Sequence, residues 1–281
     1  MQATIQYIKK ELAELYPETE VLGFTRLLFE SVCGWDYTAQ ILNKKEAVLK
    51  SDFSEIKRIV SRLKEFEPIQ YIFGETEFMN LKLKVNHSVL IPRPETEELV
   101  NWIIETNTID SPRILDIGTG SGCIPLALKS RMENTIISAV DISVNALEVA
   151  QQNATNNSLD VHFFETDILN WENYSWDSFD VIVSNPPYVR EVEKQKMNQN
   201  VLNHEPENAL FVTDENPLIF YERIAEFAQK YLVKNGKLFF EINEYLGVEM
   251  CNLLENNGFA DVELKKDING KNRMISCMKK I

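Results

Sequence analysis

The tetrapeptide Asn185-Pro186-Pro187-Tyr188 is the segment of this chain best suited to hold a planar amino group. Its two prolines fix the backbone and leave carbonyls with no neighbouring N–H to compete for them. The Asn185 amide oxygen and the Pro186 carbonyl can each accept a hydrogen from a substrate NH₂. Together they would aim the nitrogen lone pair at an electrophile, while Tyr188 offers a flat face for a planar group to stack on. An ordinary proline-stiffened turn is the plain alternative; the position just past a buried strand of an α/β sheet argues against it.

A second constellation is Asp116-Ile117-Gly118-Thr119-Gly120-Ser121-Gly122. Glycines in a strand-to-helix turn let the chain fold tightly and let a ligand approach the main chain, and the following helix offers free N–H groups. Asp141 follows 19 residues after Gly122, at the end of the next expected strand, where a carboxylate can accept two ribose hydroxyls. A dinucleotide fingerprint would place glycine at 123, where this chain has Cys123. A nucleotide-type ligand without a pyrophosphate fits better.

Both constellations need a sheet to present them. From residue 94 onward short apolar strands alternate with amphipathic helices: strands at 113–117, 135–141, 161–164, 179–184 and 237–242, with Ser143 capping one of the helices. Two closing strands, 261–266 and 273–278, have no helix between them. The pattern predicts an α/β fold with a doubly wound, mostly parallel, Rossmann-like sheet and an antiparallel last strand. The first 67 residues show only helical spacing, including a run stopped near Gly34. Ser51, Asp52 and Glu55 offer a capping-box-like start to a helix ending near residue 67. The expected organisation is therefore a small all-α domain (1–67), a linker with a β-hairpin (68–92, strand alternation at 77–85) and the α/β domain (93–281).

Composition narrows the function classes. With 29 Lys plus Arg against 43 Asp plus Glu, the net charge of −14 disfavours a polyanion, which binds through concentrated cationic surface. The four cysteines are scattered without a C-x-x-C pair among three histidines, so they read as buried reduced thiols, and no metal is expected. No signal-peptide core and no membrane-length apolar run is visible, and the protein is expected to be soluble and cytoplasmic.

The D-x-G-x-G-x-G turn resembles that of the class I S-adenosylmethionine-dependent methyltransferases, and N-P-P-Y that of their amino-group methylating branch. With Pro68-Ile-Gln-Tyr-Ile-Phe-Gly74, Ile91-Pro-Arg-Pro-Glu-Thr-Glu97, Asp141-Ile-Ser143, Glu205-Pro206 with Ala209-Leu210, and Lys266-Asp-Ile-Asn-Gly-Lys-Asn-Arg273, the chain from Pro68 onward is similar to the peptide chain release factor glutamine N-methyltransferases, the PrmC/HemK family. That resemblance implies S-adenosylmethionine as cofactor, held at Gly118, Thr119, Gly120, Ser121 and Gly122, with Asp141 on the ribose and Asp167 and Ile168 beside the adenine. Asn185 would lie between cofactor and substrate, with Pro186, Pro187 and Tyr188 completing the glutamine pocket. Asn185, Pro186 and Tyr188 would be the catalytic residues.

The implied substrate and partner is the Gly-Gly-Gln loop of class 1 release factors, with the helical domain as a docking module, no stable nucleic acid binding and no membrane. Arg93, Glu95 and Thr96 would shape the pocket mouth, with capping of the following helix as the other reading of that segment. Asn243 and Leu246 stand where the family pattern has glycine and glutamine, which removes the expectation of a direct role for that segment. An amino methyltransferase acting on a base of RNA or DNA is the alternative, because N-P-P-Y holds an exocyclic NH₂ equally well; it would need a basic channel to grip phosphates.

Overall fold

The computed structural model describes residues 1–280. Five helices open the chain: α1 (Gln2–Leu12), α2 (Glu18–Cys33), α3 (Tyr37–Leu42), α4 (Lys50–Lys64) and α5 (Ile69–Phe73). A hairpin of β1 (Glu75–Phe78) and β2 (Leu81–Lys84) precedes α6 (Pro94–Thr106). Then follow β3 (Arg113–Ile117), α7 (Cys123–Arg131), β4 (Ile136–Asp141), α8 (Val144–Asn157), β5 (His162–Glu165) and β6 (Phe179–Ser184). An irregular stretch holds β7 (Val189–Arg190), α9 (Gln199–His204), α10 (Glu207–Leu210) and β8 (Phe211–Val212). The chain closes with α11 (Ile219–Tyr231), β9 (Leu232–Glu241), α12 (Gly247–Asn256), β10 (Phe259–Lys266) and β11 (Asn272–Lys279). Two compact units result: Met1–Phe73 with Asn198–His204, and Gly74–Met197 with the residues from Glu205 onward.

In the helical unit, Ile8 and Leu12 of α1, Leu28 and Phe29 of α2, and Ile56 and Leu63 of α4 are fully buried in one cluster. Ile69 and Ile72 of α5 join it, which is why this body runs past the expected residue 67 to Phe73. Gly34 ends α2 in the left-handed conformation (φ 67°), at the position its type suggested. The expected cap of α4 does not form. Leu49 occupies the N-cap without a side-chain bond, Ser51 Oγ donates to Asp52 Oδ1 instead (3.0 Å), and the helix stops at Lys64. Burial of Ile56, Ile59, Val60 and Leu63 sets this helix, not its first turn.

The second unit is built on a seven-stranded sheet in the order β10-β11-β9-β6-β3-β4-β5. Strands β9, β6, β3, β4 and β5 pair in parallel, and β11 runs antiparallel to both β9 and β10. The expected doubly wound sheet with an antiparallel last strand is therefore present, with β11 inserted between β9 and β10. Side-chain alternation divides the core between the two faces. Ile182, Leu238 and Phe240 pack with Tyr221 and Phe227 of α11, whereas Val181, Val183 and Phe239 pack with Trp102 of α6 and Leu126 of α7. Three of the cysteines are only half-buried; Cys277 alone is buried, and all four are free thiols. Among the described residues, no helix is long and apolar enough to cross a membrane, and no cluster of His, Cys, Asp and Glu is placed to hold a metal ion.

Candidate active site

Parallel pairing brings the carboxyl ends of β3, β4 and β6 side by side, because their registers align Ile117 with Val140 and with Ser184. A cavity of about 330 Å³ opens at this edge, the size of a small-ligand site. Gly118, Thr119, Gly120 and Ser121 form one wall, and Asn185, Pro186 and Pro187 another. Asp141, Asp167 and Ile168 contribute from the next two strand ends. The two constellations read from the sequence thus face one space.

The glycine turn owes its shape to positive φ at Gly118 (76°), Gly120 (53°) and Gly122 (79°). A Cβ on Gly120 would meet nothing within 4 Å, so the main chain there is open to a ligand. Gly122 differs: its missing Cβ would lie 3.2 Å from the Ala150 Cβ on α8, and it does not line the cavity. Its glycine serves close packing of turn against helix. The fully buried Asn153 of α8 donates to the Ser121 carbonyl at 2.9 Å and to that of Lys84 at 3.0 Å, pinning the turn from behind.

Asp141 accepts the Gly120 N–H on Oδ2 (2.8 Å) and the Ser143 N–H on Oδ1 (2.9 Å). Burial raises its carboxyl above the usual range, opposed by these backbone donors. Asp167 caps a short 3₁₀ turn, accepting the Leu169 N–H (3.0 Å) and the Asn170 amide (2.6 Å), so both its oxygens are engaged locally. Phe220 and Ile224 of α11 add an apolar wall that the sequence reading missed; their signal was only that of a core helix.

Asp116 is wholly buried, and neither carboxyl oxygen has a hydrogen-bond partner. Burial pushes it up to about 7; the nearby Thr119 hydroxyl pulls downward and the Asp141 charge adds to the rise. The Thr119 and Ser121 hydroxyls are also buried without partners. Unsatisfied buried groups of this kind are costly, and the Thr119 and Ser121 residues among them line the cavity. An S-adenosylmethionine, with its ammonium, sulfonium and ribose hydroxyls, fits this donor and acceptor set and the open main chain at Gly120.

Beside the glycine turn, Ser184 Oγ donates to the Ile117 carbonyl (2.7 Å), fixing the end of β6 against β3 just before Asn185. Tyr188 departs from its expected role. It does not line the cavity; its ring packs against the α11 side of the core and its hydroxyl donates to Glu241 Oε1 at 2.9 Å. The proline pair turns the chain so that position 188 points back into the sheet, making it an anchor of the loop and not a stacking face. Burial and the Glu241 charge hold its phenol well above the usual range.

Glu241, at the end of β9, is the main residue missed. It is 1% exposed and takes a second bond from Thr96 Oγ1 at 2.7 Å. Burial raises its carboxyl, while the Thr96 and Tyr188 hydroxyls and the Arg273 charge lower it. A lone acidic residue ending an apolar strand was the available signal. Arg273 donates to the buried Asp267 (3.2 Å), which accepts the N–H groups of Asn269 and Lys271 in the β10–β11 turn. Asn243 also has a role the sequence reading withheld: its amide donates to the Tyr188 carbonyl (3.0 Å) and to Glu193 (3.0 Å). Arg93 and Thr96 line the cavity and Glu95 does not. Arg93 Nη2 donates to the buried Glu205 Oε1 at 2.6 Å, joining two loops of the rim.

Comparison with known proteins agrees with this architecture. Residues 3–74 match the PrmC N-terminal domain and residues 96–211 the methyltransferase small domain. A release factor glutamine methyltransferase of Flavobacterium psychrophilum is 45% identical over 268 residues, 94% of each chain. One from Bacteroides thetaiotaomicron is 42% identical over 277 residues, 99% of each chain. The crystal structure of a methyltransferase from Pyrococcus furiosus shares the fold (TM-score 0.53, 18% identity, 72% of this chain and 90% of that one). With these identities spanning nearly its whole length, and with its glycine turn and Asn-Pro-Pro-Tyr loop facing one cavity, the chain belongs to the release factor glutamine methyltransferase family.

Proposed function

We propose that the chain transfers a methyl group from S-adenosylmethionine to the side-chain amide nitrogen of the glutamine in the Gly-Gly-Gln motif of class 1 peptide chain release factors. The observation that carries this reading is that Asn185 and Pro186 line the same cavity as the glycine turn.

S-adenosylmethionine supplies an electrophilic methyl group on a sulfonium. The glycine turn, Asp141, Asp167 and Ile168 would hold the cofactor, and the Asp116 carboxyl at the end of β3 would favour its positive charge. An amide nitrogen is a weak nucleophile, because its lone pair is delocalised into the carbonyl. Asn185 and the Pro186 carbonyl accept its two hydrogens, which raises electron density on nitrogen and orients it. None of the three histidines lines the cavity, so positioning and charge stabilisation do the work in place of a strong base. The transfer breaks the sulfonium S–CH₃ bond, forms the N–CH₃ bond and leaves S-adenosylhomocysteine, and the methylated nitrogen gives up one of its two hydrogens as a proton to water as the products leave. Phe220 and Ile224 exclude water from the reacting groups.

The helical unit is the docking module for the factor. It has its own core and exposes Tyr37, Leu42 and Leu49 (62%, 77% and 68%), apolar side chains available to a protein partner. Acting on a translation factor makes the cytoplasm its place of work. The test is incubation with radiolabelled S-adenosylmethionine and, in parallel, release factor, tRNA, rRNA and DNA. Label should enter the factor and be lost when its Gly-Gly-Gln glutamine is replaced; label in nucleic acid alone overturns the reading.

A further inference from the structure

The Asn185 side chain can serve as an acceptor for substrate only if its amide is turned the right way. An amide group is nearly symmetric in shape, so sterics alone choose poorly between oxygen and nitrogen facing the cavity. The structure contains a choice made by hydrogen-bond polarity. Asn185 Nδ2 lies 3.5 Å from Thr96 Oγ1, and Thr96 Oγ1 lies 2.7 Å from Glu241 Oε2. The other Glu241 oxygen accepts the Tyr188 hydroxyl at 2.9 Å.

A carboxylate that accepts on both oxygens is an acceptor only, and a threonine hydroxyl has a single hydrogen to give. Glu241 takes that hydrogen. The Thr96 oxygen then has only lone pairs left to present, and it can meet the Asn185 NH₂ but not its carbonyl. The reversed amide would set two acceptors against each other in a partly buried setting, which costs a bond and adds repulsion. We propose that Glu241, acting through the Thr96 hydroxyl, is a positioning residue that fixes the Asn185 amide with its nitrogen on Thr96 and its oxygen toward the substrate. The inference rests on the function proposed above and adds a residue that never touches substrate.

The relay spans three elements: Glu241 ends β9, Thr96 lies in the first turn of α6, and Asn185 follows β6. Tyr188, three residues beyond Asn185, binds the same carboxylate, so Glu241 holds both ends of the Asn-Pro-Pro-Tyr loop. Without its demand for a proton, the Thr96 hydroxyl is free to rotate and donate to the Asn185 carbonyl. The amide nitrogen then faces the substrate NH₂, donor against donor.

The test uses the full-length protein with release factor as substrate, in four variants: Glu241→Gln, Thr96→Val, Thr96→Ser and the Glu241→Gln/Thr96→Val pair. Valine keeps the threonine shape without the hydroxyl, and serine keeps the hydroxyl. Glu241→Gln and Thr96→Val should each lower kcat about tenfold or more, roughly one misdirected hydrogen bond in the transition state, with the Kd for S-adenosylmethionine unchanged. The double variant should be no slower than the slower single one, and Thr96→Ser should stay near the wild-type kcat. Multiplicative losses in the double variant, or wild-type kcat in Thr96→Val, overturn the relay. If Glu241→Gln does not fold, the Val and Ser pair at position 96 decides alone. Wild-type transfer to the factor is the separate control: its absence is a failure of the proposed function, whereas its presence with an undiminished Thr96→Val rate is a failure of the relay only.

Discussion

Asp141 Oδ2 accepts the backbone N–H of Gly120 at 2.8 Å, linking the end of β4 to the middle of the glycine turn. The carboxylate therefore shapes the turn as well as offering its remaining lone pairs to a ligand. Asp141→Ala should weaken S-adenosylmethionine binding by at least about tenfold, since each charge-assisted hydrogen bond lost contributes roughly 1.5–3 kcal/mol. Calorimetric titration of the folded variant measures this. An unchanged Kd would show that ribose is held elsewhere.

Asn185→Ala should keep the fold and most of the cofactor affinity yet lower kcat on the order of 10²–10³-fold, the usual loss for one positioned polar group. Single-turnover methylation of release factor, with cofactor affinity measured alongside, separates the two effects. Near wild-type transfer would remove Asn185 from the reaction.

Tyr188→Phe removes the donor to Glu241 Oε1 and leaves a buried carboxylate oxygen with one partner fewer. Stability should fall by about 1–3 kcal/mol, the cost of an unsatisfied buried acceptor. Urea denaturation reads this loss. A variant as stable as the wild type would mean that the hydroxyl does not anchor the loop.

Asp116 gives stability a particular pH dependence. Its carboxyl is held up at about 7 in the folded protein against an ordinary 3.8. Between these values the native state retains a proton that the unfolded chain has released, so this group's contribution to stability falls as pH rises through the window and is flat beyond it. Asp116→Asn should therefore gain on the wild type from pH 4 to pH 8 by up to roughly 4 kcal/mol. Denaturation curves at several pH values test this, and parallel pH profiles for the two proteins would exclude it. The raised carboxyl of Glu241 remains in both and cancels in the difference.

Docking through the helical unit is tested at its exposed apolar positions. Leu42→Asp combined with Leu49→Asp should raise KM for whole release factor about tenfold or more, the scale of an interface residue that matters. KM for a short Gly-Gly-Gln peptide and the Kd for S-adenosylmethionine should not move. Equal effects on factor and peptide would assign these residues to stability alone.

Local features of the chain were legible where one residue type has one physical use. Gly34 at a helix end, Ser143 at a helix start and Gly118 and Gly120 in a turn of positive φ are positions where backbone sterics or a single cap decide, and the structure has them there. The capping-box start expected among Ser51, Asp52 and Glu55 failed because the helix begins earlier, at Lys50, which leaves those residues inside its first turns while the buried face from Ile56 to Leu63 holds it.

By itself the sequence determined the alternation of strands and helices, hence the parallel sheet, and with it the edge at which the glycine turn and the Asn-Pro-Pro-Tyr loop emerge. Those properties follow from periodicity and from turn chemistry, which act over a few residues. The tertiary structure alone decided which way Tyr188 faces, why Gly122 is glycine, and that Glu241, Thr96 and Asn185 share one chain of hydrogen bonds although 145 and 89 residues separate the bonded pairs. Hydrogen-bond partnership in a buried site depends on which strand ends the sheet order makes adjacent. Here β9 lies beside β6 and not beside its neighbours in sequence, so the partner of each polar group is set by topology and not by spacing.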